Sequence, residues 1–292
     1  MLNKKQIKDF HDKGYTVVNF INKKKLNLIK IHVSSMILES IKYNLPKYYK
    51  KNLKKLKNNN FILNDGMIKL ESSRHKYLSN IYDIIAKGSS LLDLLCDEKI
   101  LLAVNQLMKR KLNHQLYLNC NSIGMDMPKD DKFMYGWHRD NNTNIPDSNF
   151  IQVWMPLHGF LGKSLGGLKI LEKNHKKNLM TTESKNEMKR LIGNVPMRSS
   201  ISAKVFGHDL YKEKIIELNA GQALMFKNSL MHKGALNTSE NKVRYVVSCF
   251  YHDVRLLEKK FINRDFKDKN VKVVRSDNYK ISPNDKKKIS SE

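Results

Sequence analysis

Cysteine is scarce in this chain of 292 residues. The three present, Cys96, Cys120 and Cys249, are odd in number and far apart, and no Cys-x-x-Cys occurs. No disulfide framework is implied, and zinc-ribbon and thioredoxin-type readings drop out. All three are expected to be buried small hydrophobes in reduced surroundings. Long apolar runs are absent too. The richest, Ile100 to Val104, is flanked by Asp97, Glu98 and Gln106, far short of the ~20 residues that span a bilayer. The opening Met1-Leu2-Asn3-Lys4-Lys5-Gln6 holds no apolar signal-peptide core. These absences predict a cytoplasmic protein without a membrane span.

Acidic residues are few, 28 against 54 basic ones, for a net charge of +26. Arginine is scarcer still: nine residues, against 45 lysines. A phosphate-reading surface favours the planar Arg fork, whereas these lysines are scattered through a chain crowded with Asn and Ile. All three residue types come from A/T-rich codons, so genome composition accounts for the balance without an anionic partner. The charge by itself therefore makes no case for nucleic acid and leaves a mild preference for an anionic small molecule. Lysine is locally dense only at Lys47 to Lys57 and Lys286 to Lys288.

A hydrophobic fraction of 40% with 28% charged residues describes a globular chain long enough for a large core. Apolar spacing predicts a short helix over Lys5 to His11, stopped by Gly14, then a strand over Tyr15 to Ile21. A longer helix is expected over Lys24 to Ile41. The Lys- and Asn-rich stretch Tyr43 to Asn60, with Pro46 early, reads as a loop. Ser79 to Lys109 reads as two helices broken near Gly88. After Leu112 the pattern changes to short strands: Gln115 to Ser122, Phe150 to Leu157, Leu168 to Leu171, Ile215 to Leu218, Ala223 to Phe226 and Val243 to Tyr251. In the first of these the polar Gln115, Tyr117, Asn119 and Asn121 share one side, which in a sandwich with a wet interior faces inward. Helices first and strands after predict an α+β fold with an all-β core and helices on one side. One domain is expected over 1–275, helical mainly in 1–112 and β mainly in 113–255. The stretch 176–214 is expected to be an insertion and 276–292 a frayed tail.

The chemistry gathers around Tyr135-Gly136-Trp137-His138-Arg139-Asp140 and, far downstream, His232. His-x-Asp with a distant His is the ligand set of the 2-His-1-carboxylate facial triad, which holds Fe(II) on one face and leaves the other open. Residues two apart in an extended segment point the same way, so His138 and Asp140 can reach one metal. Arg244 follows His232 by a turn of Asn, Thr and Ser. A planar cation there suits a carboxylate, although an exposed Arg paired with Glu240 fits the spacing equally.

Five segments in order then resemble the phytanoyl-CoA dioxygenase family of Fe(II)- and 2-oxoglutarate-dependent oxygenases. They are Phe10-x-x-x-Gly14-Tyr15-x-Val17-Val18-x-Phe20; Trp137-His138-x-Asp140; Leu165-Gly166-Gly167-Leu168-Lys169-Ile170-Leu171 followed by Asn174-His175-Lys176; Gly221-x-Ala223-Leu224-x-Phe226; and His232 with Asn237-x-Ser239 and Arg244. The resemblance implies a double-stranded β-helix (jelly-roll) core. It implies iron on His138, Asp140 and His232, and 2-oxoglutarate anchored through its distal carboxylate by Arg244. Trp154 and Asn121 would line the co-substrate pocket. O2 would be the second co-substrate, and a C–H bond of a small molecule would be hydroxylated with release of succinate and carbon dioxide. His175 matches a turn histidine outside the triad and is read as structural. Two positions depart from the family pattern. Gly234 stands where many members carry a hydroxyl, and Glu172-Lys173-Asn174-His175 replaces a Pro-Gly-Ser-His turn. Two other readings stay open: a nucleic-acid-modifying oxygenase of the same mechanism, and a cupin-like binding protein without turnover.

Overall fold

The computed structural model describes residues 1–74, 76–111, 115–131, 134, 136–140, 150–176 and 208–253. Among them the chain runs from helices into antiparallel sheet. Helix α1 (Lys4–Lys13) is closed at its start by a capping box between Asn3 and Gln6. It ends at Gly14, whose left-handed φ of 91° lets its N–H reach the Phe10 carbonyl. Gly14 is required twice over, since a Cβ there would meet the His175 ring at 2.6 Å. Strand β1 (Tyr15–Val18) follows, shorter than the apolar run predicted.

Helix α2 (Lys23–Asn44) buries Leu26, Ile29, Val33, Ile37 and Ile41 at i, i+3 and i+4 spacing. Each such side chain contributes about 1.5–3 kcal/mol when removed from water. The predicted loop at 43–60 is largely helical: α3 (Pro46–Lys51), a 3-10 turn at Lys55–Lys57, and α4 (Asn59–Phe61) running on through a π turn at Ile62–Gly66 into α5 (Met67–Ser73). Pro46 sits in the first turn of α3, where its missing N–H costs nothing, so it starts a helix rather than breaking one. The region predicted as two helices is three: α6 (Lys76–Ala86), α7 (Ser89–Leu95) and α8 (Glu98–Leu107). The second break falls at Asp97, whose carboxylate caps α8 through the Lys99 N–H. Cys96 ends α7 and is exposed, contrary to the expectation of a buried thiol, whereas Cys249 is buried.

The strands are β2 (Leu116–Asp126), β3 (Phe150–Pro156), β4 (Phe160–Leu161), β5 (Leu168–Leu171), β6 (Glu213–Ile216), β7 (Leu218–Asn219), β8 (Ala223–Lys227), β9 (His232–Gly234) and β10 (Arg244–Asp253). They form an antiparallel five-stranded sheet β1-β8-β3-β10-β2, a three-stranded sheet β6-β5-β9, and the pair β4-β7. Residues 177–207, most of the expected insertion, and the tail 276–292 lie outside the described residues.

Alternation along the large sheet sorts side chains between two cores. Ile151, Val153, Met155, Met225, Val247 and Tyr251 pack with Val33, Ile37, Leu63, Met67 and Leu78 of the helical layer. From the opposite face Trp154, Leu224, Phe226 and Val246 meet Leu168, Ile170 and Ile216 of the small sheet. The order is therefore helices, large sheet, small sheet. One irregularity crosses this plan. Opposite β10 the register moves from Ser248↔Ser122 to Phe250↔Asn119, so β2 carries one extra residue. That bulge changes which parity faces the helices: Leu116 and Leu118 before it, Ile123 and Met125 after it.

Candidate metal centre

His138 and His232 are held together by their own backbones. Each N–H donates to the other's carbonyl at 3.0 Å, an isolated antiparallel bridge between the 136–140 segment and β9. β9 is anchored in turn on β5, with Ile170 opposite His232. This pairing puts the two imidazoles side by side, centroids 4.3 Å apart. Asp140, two residues on, turns its carboxylate to both: Oδ1 lies 3.8 Å from His138 Nε2 and Oδ2 lies 3.5 Å from His232 Nε2. One ligand atom from each of the three residues falls within 4.8 Å of the others. The sequence expectation that these residues converge holds in the geometry.

The tautomers fit a metal. His138 Nδ1 lies 2.7 Å from the Gly136 carbonyl and His232 Nδ1 lies 2.9 Å from the Leu230 carbonyl. A carbonyl can only accept, so Nδ1 carries the proton of the neutral ring and the Nε2 lone pair faces inward. Burial pushes the Asp140 carboxyl up to about 6, opposed by His138. Burial also lowers His232, with His138 adding to the effect and the Leu230 carbonyl resisting it. The donor set is one carboxylate and two imidazole Nε2 atoms, suited to a divalent ion of intermediate softness. Phe226 stands edge-on to His232, centroids 4.9 Å apart, and screens it from water.

Arg244 opens β10 and is buried, with 5% exposure. It is neither exposed nor paired with Glu240, which instead takes the Lys129 ammonium. Its Nε donates to Asp126 Oδ2 at 2.8 Å, and Nη1 donates to the Ala235 carbonyl. The turn ahead of it is pinned by Asn237, whose amide donates to the Asp126 and Lys242 carbonyls at 3.0 and 2.7 Å. Ser239 Oγ closes the same turn by donating to the Lys242 carbonyl at 2.9 Å. The Asn-x-Ser pattern thus works as a brace behind Arg244. Gly166 has a φ of 73°, and a Cβ there would come within 2.8 Å of Arg244 Nη1. Gly166 gives the guanidinium its room, whereas Gly167 makes way for the Ile216 carbonyl, which a Cβ would meet at 2.2 Å.

Trp154 is buried on the inner face of β3 among Leu168, Leu224 and Phe226, on the same side of the sheet as Arg244. Asn121 is not brought to the site. The bulge in β2 turns it to the helix side with Ile123 and Met125, and its Oδ1 accepts from Cys249 Sγ at 3.0 Å. Unbroken alternation had put Asn121 on the inner side; the extra residue reverses it. His175 stands apart from the three candidate ligands, its Nε2 at 3.1 Å from the His11 carbonyl. Asp126 went unnoticed in the sequence. Its only signal was the small and polar Ser122, Gly124, Asp126 series, which the bulge moves inward.

No family model matches the chain, and no curated protein matches it. Solved structures do. EctD from S. alaskensis, in a crystal structure with bound Fe, is 14% identical with a TM-score of 0.55, over 87% of this chain and 78% of that one. The non-heme alpha ketoglutarate dependent epimerase SnoN from nogalamycin biosynthesis, in complex with Fe3+, alpha ketoglutarate and nogalamycin RO, is 12% identical with a TM-score of 0.52, over 86% and 83%. The chain shares their fold. At these identities the likeness extends to architecture, and the chemistry rests on the residues described above. No helix among the described residues is long and apolar enough to cross a membrane.

Proposed function

We propose that this chain is an Fe(II)- and 2-oxoglutarate-dependent oxygenase of the phytanoyl-CoA dioxygenase type, which hydroxylates a C–H bond of a small molecule and releases succinate and carbon dioxide. One observation carries the reading: two imidazole Nε2 atoms and a buried carboxylate converge within 4.8 Å, with the histidines locked by a mutual backbone bridge. The shared fold of EctD, which was crystallised with bound Fe, and of SnoN, in complex with Fe3+ and alpha ketoglutarate, adds support. The two facing sheets are read as a double-stranded β-helix, within a single catalytic unit over 1–275.

His138, Asp140 and His232 would hold the iron by three positions on one face. When bound, iron and 2-oxoglutarate together supply the oxidising power, with O2 as second co-substrate. The rest falls to the chain. The Gly136 and Leu230 carbonyls keep each imidazole in the tautomer that presents Nε2. Arg244, buried and braced, offers a fixed cation to the distal carboxylate of the co-substrate. Trp154 and Phe226 keep the inner side dry, which protects a reactive site from water. The family's additional hydroxyl is absent at Gly234. The small-molecule substrate retains the mild anionic preference drawn from the net charge.

Anaerobic Fe(II) titration of the full chain with 2-oxoglutarate tests this directly. A weak visible metal-to-ligand charge-transfer band is expected in the native protein and is lost in His232→Ala, with the far-UV spectrum unchanged. A folded native protein without the band would refute the oxygenase reading and leave a binding protein.

A further inference from the structure

Arg244 is a built site rather than a lone cation, and the acid that builds it has no counterpart in the reading so far. A guanidinium offers a carboxylate two forks, one along Nε and Nη2 and one across the two terminal nitrogens. Here Asp126 Oδ2 holds Nε at 2.8 Å, and the Ala235 carbonyl takes Nη1. Among the described residues Nη2 makes no hydrogen bond, and it faces the residue that lacks a side chain: a Cβ at Gly234 would lie 3.4 Å from Nη2. Asp126 is itself fixed, because its backbone carbonyl accepts from Asn237 and its residue pairs with Arg244 in the β2–β10 register.

We infer that Asp126 is a positioning residue for co-substrate binding, which holds the Nε edge of Arg244 so that the Nη2 end is presented into the slot left by Gly234, as the docking point for a single terminal carboxylate. This rests on the proposed oxygenase function and deepens it. The slot explains how the chain does without the family's hydroxyl two residues after the distal histidine. Orientation of the cation, set from behind by an acid, replaces a hydrogen bond donated from in front. The arrangement selects a 2-oxo acid with a distal carboxylate. The negative charge of Asp126 opposes an incoming carboxylate, so the help it gives is one of geometry rather than of charge.

The test measures 2-oxoglutarate affinity from the charge-transfer band in anaerobic titrations of the full-length protein, with Fe(II) affinity measured separately by chelator competition. Asp126→Ala is expected to raise the 2-oxoglutarate dissociation constant about tenfold or more, the usual scale for loss of an orienting partner, and to leave Fe(II) affinity unchanged. Binding of 2-oxobutyrate, which lacks the distal carboxylate, stays at the native value, a split that general loss of structure would not produce. Asp126→Asn keeps an oxygen for Nε and retains most of the affinity. Should Asp126→Ala fail to fold, Gly234→Val decides, since filling the slot is expected to weaken 2-oxoglutarate binding and spare 2-oxobutyrate. Native or tighter 2-oxoglutarate binding in Asp126→Ala, or in Gly234→Val where only that variant folds, overturns the inference while the oxygenase reading stands. Absence of the band in the native protein overturns both.

Discussion

The two faces of the large sheet share a backbone and obey different rules. Along β10, Tyr245, Val247, Cys249 and Tyr251 point to the helices and are almost wholly buried in apolar surroundings. One residue out of phase, Arg244, Val246 and Ser248 point to the small sheet, where Asp126 meets Arg244 and Gln152 donates to Ser248 at 3.1 Å. The helix face behaves as a conventional core whose worth lies in area removed from water. The inner face gives up some of that area to hold polar groups in fixed directions. Stability and chemistry are thus separated by a sheet one residue thick.

That separation can be broken from either side. The largest effect on folding is expected from the helix face. Ile37→Ala in α2, at a fully buried position, should lower stability by about 2–5 kcal/mol through lost burial and an unfilled cavity. Urea denaturation would measure it, and the charge-transfer band of the folded fraction should be unchanged. An altered band would show that the faces are coupled. Asn237→Ala acts at the seam. It removes two bonds to backbone carbonyls and should cost about 1–3 kcal/mol, and it should also weaken 2-oxoglutarate binding by loosening the brace behind Arg244. Loss of stability with native affinity would mean that the turn supports the fold alone.

The smallest effect is one of pH and is nil at neutrality. His252 is fully buried against Phe150, and burial pushes it down to about 4 from its ordinary 6.5. Above pH 6.5 both folded and unfolded chains hold it neutral and it contributes nothing. As pH falls from 6.5 toward 4 the unfolded chain takes the proton first, so stability is progressively lost. Subtracting the urea stability of His252→Gln from that of the native protein across this window isolates the contribution. A flat difference would show that the ring finds water or an acceptor when charged.

Much of this was legible in the sequence, for reasons that can be named. The convergence of the three candidate ligands could be read because their spacing reflects local geometry: two residues apart in an extended segment, and a histidine just beyond a β strand. The α2 stripe and the alternation of β3, with Gln152 and Trp154 opposite Ile151, Val153 and Met155, were equally plain. What failed depended on a single residue whose effect is not local. One extra residue in β2 reversed the side to which Asn121 points and brought Asp126 inward, and no periodicity announces a bulge. Pro46 misled because the same residue breaks a helix interior and opens a helix start. The lysines of 47–57 looked like loop composition, yet Leu56 is buried and the flanking turns are helical.

The bridge between His138 and His232 also has a consequence for how the chain can vary. Two of the three candidate ligands are joined by main-chain bonds that depend on no side chain. The tie is therefore indifferent to what those two positions carry: replacing either imidazole removes one ligand atom and leaves in place the bridge that would seat its successor. The stretch between them enjoys no such freedom, since it supplies Asp140, Trp154 and the strands β3 to β8.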